Sequence, residues 1–269
     1  MSRLCRYLYP DSAIIYTRKA IGKSIEPDDT AECRLLFGFL TLLPSRGFIK
    51  EAVDALAYYN IDAIPEAMRS EYLKASQNIY AQIARRYFEV PEISDRYKTL
   101  AVDARRKYML YFNAGDCEYE VAEAMNYFDL GNYVAAYTAG VEVLERIEEK
   151  DPDFASLSIV IAEAYGRKGR NREQLYYLVR AAISQLKCVM PQGTALQRVG
   201  HSLYESGDID RAHGYMSAAL ENATLGATHA DAHVMLKSMS LMDRSYNEKM
   251  RHNERLVWII AGISLALMA

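Results

Sequence analysis

The sequence has little of what marks an enzyme, a secreted disulfide scaffold or a nucleic-acid binder. Its four cysteines, Cys5, Cys33, Cys117 and Cys188, lie far apart with no CxxC pair. No compact disulfide framework follows from that spacing, and each reads as a small buried hydrophobe. Seven prolines and fourteen glycines in 269 residues are few, and Ala, Leu, Tyr, Glu and Arg are plentiful, a balance that leans all-α. The formal net charge of −3 offers no broad basic face, so direct nucleic-acid binding is not expected. The basic start MSRLCRYLYPDS is not followed by an apolar run of signal-peptide length. Nucleotide fingerprints, nucleophile elbows and phosphate loops are missing too. With no acid–base or metal constellation, neither catalysis nor a cofactor is expected.

What the chain does contain is a period. GFIKEAVDAL, GNYVAAYTAGVEVL, GRNREQLYYLVRAAI and GDIDRAHGYMSAAL align on Gly47, Gly131, Gly169 and Gly207, the last three 38 residues apart. The first interval of 84 leaves room for one more unit around residues 66–112. Each glycine separates two apolar helical stretches, as expected where a helix ends in a residue of positive φ. Asn132 and Asp208 then stand as N-caps of the next helix. Ala52, Ala136 and Ala212 come five residues after their glycines, where a small side chain lets paired helices approach, and Ala219 lies one heptad beyond Ala212. Gln174 takes that place in the unit of Gly169, so this unit is expected to be looser or tilted. The pattern predicts an all-α, right-handed superhelical solenoid of tetratricopeptide-like (TPR-like) helix–turn–helix repeats over residues 11–245. Residues 1–10 are expected to be irregular. DSAIIYTRKA (11–20) reads as the second half of a unit whose first helix would precede this sequence, and 227–245 as a closing helix.

The succession DSAIIYTRKA, RGFIKEAVDAL, SEYLKASQNIYAQIA and GTALQRVGHSLYESGDIDRAHGYMSAALENA resembles a Bacteroidetes-type family of membrane-anchored regulators. The likeness spans about residues 11–269 and is most specific over 193–223. It implies a TPR-like sensor region ahead of one transmembrane helix, with a regulatory segment further on, and repeats outside the inner membrane, in the periplasm.

Candidate binding positions follow from the repeat frame. First helices line the concave face of such arrays, and residues one frame apart form ladders: Met125, Glu163 and His201; Phe128, Gly166 and Tyr204; Val121, Ile159 and Gln197. Their mixed aromatic, acidic and amide character suits a protein or peptide partner. Met125, Phe128, Glu163, Gln197, His201 and Tyr204 are the candidate site, and a homodimer is a further option. Twenty-one tyrosines at helical spacing read chiefly as interhelical packing. The pair His229 and His233 in HADAH has zinc-like spacing but lacks a zincin glutamate and a third ligand, so no metal site is assigned. The basic stretch YGRKGRNR, Arg85–Arg86 and Arg105–Lys107 read as hydrated surface.

The sequence closes with RLVWIIAGISLALMA, fourteen uncharged residues after Arg255. As a helix that run is about 21 Å long, short of the roughly 20 residues a bilayer core needs. It is expected to be an incomplete transmembrane helix (256–269) behind a charged juxtamembrane linker (246–255). The alternative is a soluble TPR-like adaptor with this helix docked on the solenoid. Lys249, Arg251 and Arg255 before the run favour cytoplasmic repeats by the positive-inside tendency, against the periplasmic placement implied by the resemblance.

Overall fold

A computed structural model describes residues 30–59, 61–188, 194–225 and 229–268. The stretches expected at 1–10 and 11–20 lie outside them. Among the described residues every regular element is helical. In chain order these are α1 (Thr30–Leu40), a 3-10 turn (Pro44–Arg46), α2 (Ile49–Tyr58), a second 3-10 turn (Ile61–Ala63), α3 (Glu66–Arg86), α4 (Pro91–Met109), α5 (Cys117–Asp129) and α6 (Tyr133–Leu144). They continue with α7 (Pro152–Arg167), α8 (Asn171–Lys187), α9 (Thr194–Glu205), α10 (Ile209–Leu225) and α11 (His229–Met268). Helices α3/α4, α5/α6, α7/α8 and α9/α10 pack as pairs, and α3/α4 fills the interval left open between Gly47 and Gly131.

The turns are built alike. Gly47, Gly131, Gly169 and Gly207 have φ of +89°, +75°, +71° and +84°. At Gly131 the glycine N–H donates to Phe128 O and the next N–H, of Asn132, to Tyr127 O, both at 2.9 Å. This is a Schellman closure, which satisfies the last carbonyls of the outgoing helix. Phe48, Arg170 and Asp208 repeat the second bond to Leu43, Tyr165 and Leu203. Asn132 Oδ1 then accepts from Ala135 N–H and Asp208 Oδ1 from Arg211 N–H, capping the incoming helices. One consequence is directly measurable. Gly131→Ala must hold an L side chain at positive φ and should cost about 1 kcal/mol. Gly214 sits exposed inside α10 with nothing within 4 Å of an added Cβ, so Gly214→Ala should gain about 0.5–1 kcal/mol. Urea titration of the two variants should show opposite shifts of midpoint.

Ala52, Ala136, Ala212 and Ala219 are fully buried, as helix pairs at close approach require. The unit of Gly169 departs from the expected looseness for a specific reason. A Cβ on Gly166 of α7 would meet the Gln174 amide at 2.7 Å. In the repeat frame the small residue has changed helices: Gly166 takes the place of Phe128 and Tyr204, and Gln174 the place of Ala136 and Ala212. The tyrosines largely pack, as in the parallel stack of Tyr137, Tyr165 and Tyr177, with centroids 4.2 and 5.6 Å apart.

The apolar interior is divided. One cluster joins α1–α3, including Phe37, Leu56, Ile79 and Ile83. A larger one runs from Val121 through Leu157, Ile161 and Leu203 to Met235 and Met242. Between them lies a small group of Leu73, Tyr108 and Ala122, so the joint between the α3/α4 and α5/α6 pairs relies on polar ties. Arg105, expected on the hydrated surface, is instead buried with its side chain 8% exposed, because it turns inward to reach Asp129 Oδ2 at 2.6 Å and Asn126 Oδ1 at 3.1 Å. Lys74 meets Asp153 at 2.5 Å, 79 positions along the chain.

The expected linker at 246–255 is not a separate element: α11 runs unbroken from His229 to Met268. Met235 and Met242 are buried in the larger cluster. Further along, His213 bonds Asp243 at 3.0 Å and stacks on Tyr246, and Lys249 reaches Asp210 at 2.5 Å. The same helix touches the Pro44–Arg46 turn, and Lys237 lies 3.7 Å from Glu89. The solenoid therefore curls until its closing helix meets its first described unit.

Candidate functional site: a polar recess at the joint

A recess of about 310 Å³ opens where the two apolar clusters meet, within the range of small ligand sites. One wall is a single face of α3. Lys74, Gln77, Asn78, Ala81, Gln82 and Arg85 follow helical spacing and all line it. The opposite side of α3 buries Met68, Leu73, Ile79 and Ile83, which fixes the polar face inward. The facing wall comes from α5, with Glu118, Val121, Ala122 and Met125, and from the start of α7, with Asp153 and Ser156.

Charge in the recess is largely balanced. Burial works against the Lys74 ammonium, but Asp153 and the Tyr108 hydroxyl outweigh it and hold Lys74 above the ordinary lysine value. Burial pushes Tyr108 up to about 12, with Lys74 pulling the other way, so its hydroxyl stays protonated at neutral pH. Beyond Arg85, Arg198 of α9 is ion-paired with Glu163. Burial first, and the Arg85 guanidinium second, bring Arg198 down to about 10. Two guanidinium groups thus stand near each other at this end.

The expected ladder is only partly assembled at this recess. Met125 lines it, and Gln77 donates weakly to its sulfur at 3.8 Å. Glu163 is engaged by Arg198. Phe128 packs on Tyr133 at 5.4 Å. Gln197 is half-buried on α9, and His201 is exposed, 3.4 Å from Glu205. The Tyr204 hydroxyl shares a 2.9 Å hydrogen bond with Ser245, so this residue grips α11. In YGRKGRNR, Arg170 lies over Tyr165 at 4.9 Å and pairs with Glu173, a structural use of the basic turn. The side chains of His229 and His233 lie outside the described residues. Among the described residues no three His, Cys, Asp or Glu side chains gather as metal ligands.

Sequence reasoning passed over the α3 wall. Its signal was present in SEYLKASQNIYAQIARR as polar residues at 74, 77, 78, 82 and 85, one face of a helix whose other face is apolar. Arg85, read there as hydrated surface, borders the recess.

An array of antiparallel helix pairs, joined by Schellman turns and enclosing a polar recess, defines the class: a TPR-type repeat protein, a scaffold for protein interaction. Residues 7–229 match the SusR N-terminal TPR domain, and the chain belongs to that family. No curated protein matches the sequence. Among solved structures it is similar to a Rap protein complexed with Competence and Sporulation Factor, at 16% identity and a TM-score of 0.55, covering 94% of this chain and 73% of that one. MamA (AMB-1) aligns at 16% identity and TM-score 0.34, covering 78% and 97%. BtubC from P. vanneervenii aligns at 12% and 0.35, covering 92% and 93%.

Proposed function

We propose that this chain is the sensor region of a single-span, membrane-anchored transcriptional regulator of the inner membrane. Its repeats face the periplasm and take a protein or peptide on their inner surface, and α11 carries the bound state toward the bilayer. The observation that carries this reading is the division of labour along α11. Through Lys249 the helix is tied to the last repeat. From Leu256, 44% exposed, to Leu267, 83% exposed, its large apolar residues stay open to solvent. The basic residues Lys249, Arg251 and Arg255 stand just ahead of them, at the level of lipid headgroups, with Trp258 near the entry. No helix of the described residues is long and apolar enough to cross a membrane by itself, so the proposal concerns entry into the bilayer. A docked tail, the adaptor alternative, draws no support from packing, because these side chains do not pack on the solenoid.

The test is co-sedimentation with vesicles of phosphatidylethanolamine and phosphatidylglycerol. Residues 1–269 should pellet with the vesicles and residues 1–255 should stay in the supernatant. Equal behaviour of the two would remove the membrane part of the proposal and leave a protein-binding scaffold.

A further inference from the structure

The outer face of α8, we propose, is the seam of a homodimer, in which two copies of this chain pair through Tyr176, Val179, Ile183 and Leu186. The pairing stands apart from the membrane reading above; only its parallel sense rests on that reading.

α8 is apolar on two sides. Its inner side buries Tyr177, Leu178, Ala181 and Ala182, which fixes the helix in the array. On its outer side Tyr176, Val179, Ile183 and Leu186 are 37% to 57% exposed. A surface helix normally carries one apolar stripe and a polar back, so the second stripe is more than the array requires. The neighbouring outer helices show as much. One frame of 38 residues earlier the same positions hold Thr138, Val141, Glu145 and Glu148, and one frame later Gly214, Ser217, Glu221 and Thr224. Among these only Val141 carries a large apolar side chain, and it is half-buried.

Spacing points to the occupant. The four residues are separated by 3, 4 and 3 positions, the a/d rhythm of a coiled-coil seam. Such a seam fits a second helix with the same rhythm, and another copy of this chain supplies one in a closed, symmetric pair. A lipid surface fits poorly. Glu145 and Glu221 stand exposed on the two flanking helices or their ends, where anionic headgroups would repel them.

The sense of the pairing follows from the repeats. α8 and α10 are second helices of successive pairs and run the same way, and α11 returns along α10. Parallel pairing of α8 therefore sends both α11 tails the same way, as one bilayer requires. It also matches charge. Lys187 meets Glu149, just after α6, and Arg180 lies over Phe154, at the start of α7. The basic edge of α8 thus faces the preceding pair, while Glu221 lies on the following outer helix. A two-fold axis along α8 sets the first edge of one copy against the second edge of the other. Arg180 and Lys187 then stand opposite Glu221 of the second copy.

Four half-exposed side chains offer on the order of 350 Å² per copy, under half of the about 800 Å² per partner in a lasting complex. Association is therefore weak in free solution and tightens where two copies share a surface.

Sedimentation equilibrium of the 1–269 chain, its tail covered by a nonionic detergent, tests the seam. The mass should rise from monomer toward dimer between about 5 and 300 µM. Tyr176→Thr, Ile183→Glu and Leu186→Thr together install what the neighbouring repeats carry. This triple replacement should weaken the dimer roughly tenfold or more, with circular dichroism and urea midpoint unchanged. Glu221→Lys should weaken it about threefold, and high salt should shrink that loss. On oxidation, Tyr176→Cys in a Cys188→Ser background should give a disulfide-linked dimer that Cys188→Ser alone does not form. Cross-linking of Tyr176→Cys only to Leu186→Cys would overturn the parallel sense. A monomer at every concentration would overturn the dimer. A dimer that the triple replacement leaves intact would place the contact elsewhere and overturn the seam. Vesicle binding lost on the triple replacement would assign the stripe to lipid and overturn it as well.

Discussion

Replacing Asp129 with alanine is expected to cost the fold about 3 kcal/mol, measured by urea unfolding. Arg105 is 8% exposed and, among the described residues, its only carboxylate contact is Asp129, at 2.6 Å. Removal of that carboxylate leaves a buried guanidinium with the Asn126 amide oxygen alone, and its Nε already lacks a partner. Desolvation of an ion is recovered only through its partner, so breaking one side costs more than the pair contributed. A double replacement, Arg105→Met with Asp129→Leu, should recover most of the loss. If the double variant is no better than Asp129→Ala, the loss lies in packing and the charge argument is wrong. The site of the damage matters as well. This pair ties α4 to α5 at the joint between the two apolar clusters, beside the recess, so Asp129→Ala should also speed hydrogen exchange of α4 and α5 ahead of α7 and α8.

Leucine at Gly200 is expected to be about as harmful, at about 3 kcal/mol. A Cβ at this position would stand 3.2 Å from Ala212 O and 3.3 Å from Met216 N. Those neighbours are backbone, which cannot rotate aside, so α10 has to move off α9. Because α11 rests mainly on α10, the disturbance should travel outward along the array and not inward. Exchange mass spectrometry should find residues 194–249 deprotected and 66–109 near their original protection, as nearest-neighbour coupling in a repeat array predicts. Uniform deprotection would mean that the array unfolds as one block.

The repeats were legible because their cues are local. A glycine of positive φ, a capping Asn132 or Asp208 and a buried Ala212 are each set by a few neighbouring residues, and the 38-residue phase makes them reinforce one another. The exchange of small residues at Gly166 and Gln174 could not be seen from one side of the interface. The recess was hidden for a different reason. Lys74, Gln77, Asn78, Gln82 and Arg85 look like any hydrated helix face until the curl of the whole array brings α5 and α7 opposite. Tyr204 shows the same limit: the repeat frame put it on the inner face, but only the path of α11 determines that its hydroxyl meets Ser245. Period gives only an expected face, whereas the partner of each side chain follows from superhelical geometry.

The unbroken course of α11 gives these contacts a mechanical meaning. From Lys249, its last tie to the repeats, to Met268 the rod extends about 28 Å, with no break at which bending could absorb strain. A tilt of about 5° at the root would sweep the tip by roughly 2.5 Å, and axial rotation would arrive undiminished, since helical pitch fixes the angle of every residue. The root is gripped by His213, Asp210 and the Tyr204–Ser245 bond on one side and by the Pro44–Arg46 turn on another. Any change in the curl of the array is thereby geared to the far end of the helix as motion of a stiff lever.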